Sequence, residues 1–495
     1  MPWLLNVVYF ALLVLVSPVL MYRRWVHGKY RDGWSEKFWG RLPERTSSQP
    51  CLWLHAVSVG EVLQLRSVMH ELIAARSDWE FVITTTTRTG LEVAKKEFPQ
   101  HTVCYCPLDF SWAVRRAILR IRPSAIVLVE LELWPNLILA ADRLGVPLAL
   151  INGRVSAKSF RGYRRVRPLL RSLLQRFVLL AAQNDEYAER LLDLGAPRDR
   201  LHVTGSIKFD GVQFDRHNAK TRELRQLFGI QPNERVFIAG STQAPEEAIA
   251  LDIWQTLRLE FPDLRLVLVP RHKERFEEVA QLVLARKLPL RRRSGIAMTM
   301  ADFPANDLNQ SPPSLSRWKR AFALRGTSST ASFSVVQKPM NHRGKLSGGA
   351  HQRACSVAEE PSNEVLLLDT LGELGACWGL ADVAFVGGSL TQRGGQNMLE
   401  PSAFGAAVLF GPNTWNFRDI VEQLLSRQAA QVVRNGDELT AAIRTLLNDP
   451  NAAQELGQRA KSFLATQQGA TGRTVRLLLN LPIDVGHSEL ERRAA

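Results

Sequence analysis

Residues 51–75, CLWLHAVSVGEVLQLRSVMHELIAA, read as a strand, a tight glycine turn and the start of a helix. The same alternation runs on from there. EFVITTTT (80–87), AIVLVEL (125–131), PLALING (147–153) and FVLLAAQ (177–183) are further strands, several of them apolar on both faces. WAVRRAILRI (112–121) and NLILAADRLG (136–145) have helical spacing. Doubly apolar strands interleaved with helices predict a parallel sheet covered on both sides. Near Glu234 the pattern restarts. RVFIAGST, LRLVLVPR, EVLLLDT, ADVAFVGGS and AAVLFGP are strands, and EEAIALDIWQTLRLEF, ERFEEVAQLVLARK and TLGELGACWGLA are helices. The class is therefore α/β, with two Rossmann-like domains facing a cleft, and ligands are expected beyond the carboxyl ends of the strands.

A chain of 495 residues suits two such domains. The expected division is an N-terminal membrane anchor (1–22), a first Rossmann-like domain (23–215), a second (216–480) and a tail (481–495). The anchor is read from Trp3–Tyr22, which carries no charge and approaches the roughly 20 residues a bilayer core requires. Arg23, Arg24, Lys29 and Arg31 follow it, which keeps the body on the cytoplasmic side in a single-pass arrangement. Pro18 leaves a shallower, interfacial helix open. Trp25, Trp34 and Trp39 among cations suit a headgroup region. Between Ser294 and Asn363 Ser, Pro, Gly and Asn prevail, the composition of a disordered or loosely packed insertion.

The net charge of +15 points to anionic partners, which for an anchored protein means anionic lipid or phosphorylated substrates. Arg154, Lys158, Arg161, Arg164, Arg165, Arg167, Arg171 and Arg176 form a dense run that either meets such phosphates or is a solvated helix face. No nucleic-acid motif accompanies the charge. The five cysteines lack CxxC pairing, and Cys104 and Cys106 are read as core thiols.

Glu61 stands where a strand's carboxyl end meets the cleft. A carboxylate there can take a proton from an attacking hydroxyl, or it can complement a helix dipole, and spacing alone does not choose. HAVSVGE (55–61) resembles the signature of bacterial 3-deoxy-D-manno-octulosonic acid (Kdo) transferases, enzymes of the GT-B fold. The likeness continues in order through ELELWPN (130–136), AAQN (181–184), VTGSIKFD (203–210), LVPRHKERF (268–276), DTLGELG (369–375), VGGSLTQRGGQNMLEPSAFG (386–405) and GPNTWNF (411–417). The resemblance implies an inverting, metal-independent transferase without a cofactor. It would move Kdo from CMP-Kdo to a lipid A precursor (lipid IVA) at the bacterial inner membrane, in lipopolysaccharide synthesis.

By the same resemblance Glu61 is the proton acceptor, and Glu130 and Lys208 support the transition state. Pro270, Arg271, Leu371, Gly372, Glu373, Asn397, Met398, Leu399 and Glu400 bind CMP, with the amides of a helix start near 373 available to an anion. Gly387, Gly388, Ser389, Gly394 and Gly395 would allow close approach of the nucleotide or the Kdo carboxylate. Gln243, Gln396 and Asn413 stand at usual histidine positions and Met398 at a proline, so donor affinity or sugar selectivity is open to change. Two rivals follow: a GT-B transferase using another nucleotide sugar, and a membrane-tethered binding protein of this fold with reduced turnover.

Overall fold

The computed structural model describes residues 2–27, 32–296 and 363–483. All but the ends of the expected insertion lie outside them, as do residues 484–495 of the expected tail. The first sheet has seven strands: β1 Cys51–His55, β2 Glu80–Thr85, β3 Thr102–Tyr105, β4 Ala125–Val129, β5 Leu148–Gly153, β6 Leu179–Ala182 and β7 Leu201–Val203. Their spatial order is β3-β2-β1-β4-β5-β6-β7, with every neighbour parallel. A second seven-stranded sheet comprises β8 Arg235–Thr242, β9 Leu264–Pro270, β10 Leu290–Arg292, β11 Val365–Leu367, β12 Val383–Val386, β13 Ala407–Phe410 and β14 Gln431–Val432. Its order is β10-β11-β9-β8-β12-β13-β14, again all parallel.

Burial explains the apolar runs. Trp53, Val82, Ile126 and Leu128 belong to the core on one face of the first sheet, and Leu52, Leu54, Ile83, Val127 and Val129 to that on the other. Successive side chains point to opposite faces, so a strand covered twice must be apolar at every position. Cys51, Cys104, Cys106 and Cys377 are free and buried, and burial pushes the Cys51 and Cys104 thiols up to about 12. They are inert core groups.

The two sheets reverse strand order between β1 and β4 and between β8 and β12. At such points the connections diverge to opposite faces and leave a crevice at the strand ends. Glu61 and Glu130 follow β1 and β4, while Gln243 and Gly387 follow β8 and β12.

Two departures from the sequence reading concern the ends of the chain. A single helix does cover the apolar N-terminus, Pro2–His27, with Pro18 inside it. Among the described residues, however, no helix is long and apolar enough to cross a membrane, so the expected single-pass transmembrane anchor over 1–22 is without support. The first third of the helix is bound to the protein instead. Asn6 exchanges hydrogen bonds with Ser111 (2.7 and 3.0 Å), and Tyr9 donates to Asp109 (3.0 Å). These polar ties would be stranded if that segment lay across a lipid core.

At the other end the helix Ala470–Leu479, grouped with the second unit on sequence, packs on the helix Val59–Ala75 beside the first sheet. Val475, Leu478 and Leu481 join that core, and Asp210 accepts the Gly469 N–H (2.7 Å) and the Thr471 N–H at the helix start. An acidic side chain at otherwise unpaired N-terminal amides contributes about 1 kcal/mol. Asp210→Ala should therefore lower the urea-unfolding free energy by about 1–2 kcal/mol. Asp210→Asn should retain part of the difference, and an unchanged unfolding midpoint in the alanine variant would remove this contact from the account.

Candidate active site

At the first crevice the backbone builds a fixed carboxylate. Ser58 caps the helix Val59–Ala75 by accepting the Glu61 N–H (3.4 Å), and Glu61 reaches back. Its Oε2 accepts the Val57 N–H (2.7 Å) and its Oε1 the Ser58 hydroxyl (2.8 Å). Ser-x-x-Glu is a capping box, and the box sets the position of the acid. Capping and base chemistry do not compete here, because an ionised carboxylate has about four acceptor sites and two remain. Glu61 is only 7% exposed. Burial raises its pKa; the bonds from Ser58 and Val57 oppose the shift, and nearby Glu130 adds to it. A desolvated carboxylate is a better proton acceptor than a solvated one.

Glu130, at the end of β4, has φ +59°, a backbone conformation that side chains other than glycine rarely adopt. It pairs with Lys208 Nζ at 3.3 Å. Lys208 lies in the turn Ile207–Phe209, whose first N–H is accepted by Asn152 (3.2 Å). Asn152 also sits at positive φ, and its amide donates to Gln64 (2.6 Å) on the helix that bears Glu61. The structure thus gathers Glu61, Glu130 and Lys208 around one crevice.

The sequence reading missed a third acid there. Glu132 is pushed up to about 7 by burial first, then by Glu61 and Glu130. The signal was present in ELELWPN, where two acids flank one leucine just past a strand, but only proximity to Glu61 gives the second acid its meaning. Beneath them His55 is fully buried and held neutral, its pKa lowered to about 4 by burial.

At the second crevice Arg271 leaves β9 with its N–H on the Thr242 carbonyl (3.0 Å). It faces Glu400 closely enough to oppose the rise that burial imposes on that carboxyl. Asn397 donates to Glu400 (3.1 Å) and accepts the Leu399 N–H (3.1 Å). Met398 and Leu399 are buried in the core of the second sheet, so a ligand there meets their backbone and not their side chains. Leu371 is 69% exposed, and Gly372 has φ +87° with open space where a Cβ would stand. Glu373 is tied to Arg293 (3.0 Å) and Thr370. The helix after it, Leu374–Cys377, has only four residues, which leaves little dipole for the anion site expected at its start. Pro270 closes β9, buried.

The loop Gly387–Ser389, read from sequence as room for close approach of the donor, has its amides turned inward. Those of Gly388 and Ser389 are bonded to Glu246 (2.7 and 3.1 Å). Of the basic run, Arg154 reaches the second unit: it pairs with Asp419 at 2.7 Å, beside Tyr187, which donates to the same carboxylate (3.1 Å). Arg164 and Arg167 lie near Asp193 (3.9 and 4.0 Å), and Lys158, Arg161 and Arg165 are exposed. Among the described residues no group of His, Cys, Asp and Glu could hold a metal ion.

Comparison with known proteins bears on this arrangement. Residues 32–211 match the family model described as 3-deoxy-D-manno-octulosonic-acid transferase (kdotransferase). A 3-deoxy-D-manno-octulosonic acid transferase of Haemophilus influenzae is 31% identical over 429 residues, 86% of this chain and 86% of its own. One from Bordetella pertussis is 30% identical over 480 residues, 94% of this chain and 96% of its own. Among solved structures, the UDP-GlcNAc 2-epimerase of Neisseria meningitidis superposes with a TM-score of 0.50 at 12% identity, covering 87% of this chain and 100% of that one. That likeness is one of fold.

Glu132 gives the crevice a pH signature. Its folded pKa lies above the ordinary 4.5, so between 4.5 and about 7 the folded chain keeps a proton that the unfolded chain has lost. The stability it contributes therefore falls as pH rises through that window. Glu132→Gln, which cannot ionise, should melt above wild type at pH 8 and level with it at pH 4. A difference independent of pH would show that Glu132 titrates normally.

Proposed function

This chain belongs to the 3-deoxy-D-manno-octulosonic acid transferase family, and from that premise we propose a course for its reaction in which Glu61 is the general base. The protein is a glycosyltransferase of lipopolysaccharide synthesis that transfers Kdo. The proposal adds the donor, CMP-Kdo, the acceptor, a lipid A precursor such as lipid IVA, and the parts played by individual residues. The observation that carries it is the Glu61 carboxylate, desolvated and held by Ser58 and Val57 beside the Glu130–Lys208 pair.

The acceptor hydroxyl gives its proton to Glu61 as its oxygen attacks the anomeric carbon of Kdo. The bond from that carbon to the phosphate oxygen breaks, and CMP leaves with the electron pair, so the anomeric configuration inverts. Lys208 offsets the negative charge that develops on the leaving group, and Glu130 orients the lysine. CMP lies at the ends of the second sheet, with Arg271 toward its phosphate and Asn397 and Glu400 toward its ribose hydroxyls. Pro270, Leu371, Gly372 and Glu373 line the nucleotide, while Met398 and Leu399 contribute backbone. No metal takes part.

The acceptor's site on the bacterial inner membrane is reached by partial insertion. Leu12, Leu15 and Val19 of the N-terminal helix are exposed, Leu15 at 75%, and Trp25, Trp34, Trp39 and Trp112 are exposed as well. Phe110 and Trp112 stack at 4.5 Å beside the bound end of the helix. An apolar helix tied along its side to the protein, with aromatic rings near it, suits a position within the cytoplasmic interface and among anionic headgroups.

Two measurements test the proposal. Glu61→Gln should cut transfer from CMP-Kdo to a tetra-acylated lipid A precursor by about a thousandfold or more, with CMP affinity and melting kept. Turnover equal to wild type would remove Glu61 from the mechanism. Leu12, Leu15 and Val19 replaced together by Asp should abolish flotation with vesicles of phosphatidylglycerol and phosphatidylethanolamine while CMP still binds; undiminished flotation would place the membrane contact elsewhere.

A further inference from the structure

The second crevice contains a carboxylate that the proposed chemistry does not use. Glu246 begins the helix Glu246–Leu257 and is 1% exposed. Its Oε2 accepts the N–H groups of Gly388 (2.7 Å) and Gln243 (2.9 Å), and its Oε1 those of Ser389 and Leu390 (both 3.1 Å). Three successive amides converging on one acid form the kind of backbone nest that binds free anions. Here the anion is the protein's own. Gly387 makes room for it: a Cβ there would stand 2.8 Å from Glu246 Oε2 and 2.6 Å from the Thr242 Cα. Burial raises the pKa of Glu246, and the four N–H bonds oppose the rise.

The loop pinned in this way leads to the nucleotide residues. The Gly388 carbonyl accepts the Gly395 N–H (2.9 Å), two residues before Asn397. The Ser389 hydroxyl accepts the Gly411 N–H (2.8 Å) and its carbonyl the Asn413 N–H (3.0 Å). The Gly394 carbonyl accepts the Asn416 N–H (3.1 Å). One buried carboxylate therefore fixes a turn on which both the 394–400 and the 411–416 segments are hung.

We propose that Glu246 is a positioning residue for the donor, an internal anion that fills the 388–390 nest and so holds Asn397 and Glu400 in place for CMP. The inference rests on the reading of residues 397–400 as the CMP site. It assigns the amides of 388–390 to the protein and not to the substrate, so the donor's carboxylate must be met elsewhere.

The full-length chain with Glu246→Gln tests this. The variant keeps the shape but aims an NH2 group at N–H donors. CMP dissociation constant and donor KM should each rise about tenfold, with acceptor KM unchanged, and Glu246→Asp should recover part of the loss. Wild-type CMP affinity in Glu246→Gln overturns the proposal, as does a loss confined to acceptor KM. Glu400→Ala separates the two readings. If it weakens CMP binding and Glu246→Gln does not, positioning fails alone; if neither weakens it, the CMP site itself is misassigned. Hydrogen exchange on the wild-type chain decides the matter even where a variant does not fold. The amides of 388–390 should be protected at pH 7 and lose protection, after correction for intrinsic rates, as acid neutralises Glu246. Amides exchanging at pH 7 like those of a free loop overturn it.

Discussion

Each sheet is wound outward from two adjacent strands, β1 with β4 and β8 with β12, and the connections leaving them pass to opposite faces. Packing cannot close the gap that results, because a parallel sheet ends in unpaired backbone and the covering helices diverge there. The chain puts its polar chemistry into these two gaps. Glu61, Glu130, Glu132 and Lys208 gather at one, and Glu246, Arg271, Asn397 and Glu400 at the other. The central strands of the first sheet and the inner faces of most of its helices are largely apolar and buried, and serve to hold the loops there still.

Charge in such a place must be satisfied locally, and the two crevices do this differently. At the first, three acids lie close together and one of them, Glu130, pairs with Lys208. Glu61 is fixed by a hydroxyl and an amide, and burial, with repulsion from Glu61 and Glu130 added to it, leaves Glu132 with a pKa near neutrality. That is a responsive arrangement, suited to accepting a proton. At the second, Glu246 is met by four backbone N–H groups and is shut away from solvent. A carboxylate held so is a structural element. The same functional group therefore serves as reagent in one sheet and as fastening in the other, according to how many donors surround it.

The two units are joined at more than the cleft. Arg154 and Tyr187 converge on Asp419, and the final helix returns to the first sheet under the hold of Asp210. These contacts span more than two hundred residues of sequence and have no local signature. The basic run containing Arg154 was legible as charge, but nothing in its spacing distinguished Arg154, which bridges the units, from Arg161, which is exposed.

Long doubly apolar strands were legible because burial on both faces demands continuous hydrophobicity. The short edge strands β3, β7, β10 and β14 were not, since two to four residues with one open side carry no period. The motif from His55 to Glu61 placed the acid at a strand end, but its cap, Ser58, was seen only in the structure. What sequence determined was thus the class, the two sheets, the family and the place of Glu61 at a strand end. Tertiary structure alone decided that Glu132 joins Glu61, that Glu246 occupies the glycine loop, and that the apolar N-terminus is bound along its side. Each depends on groups far apart in the chain being brought within a few ångströms, where desolvation and hydrogen bonding set their charge.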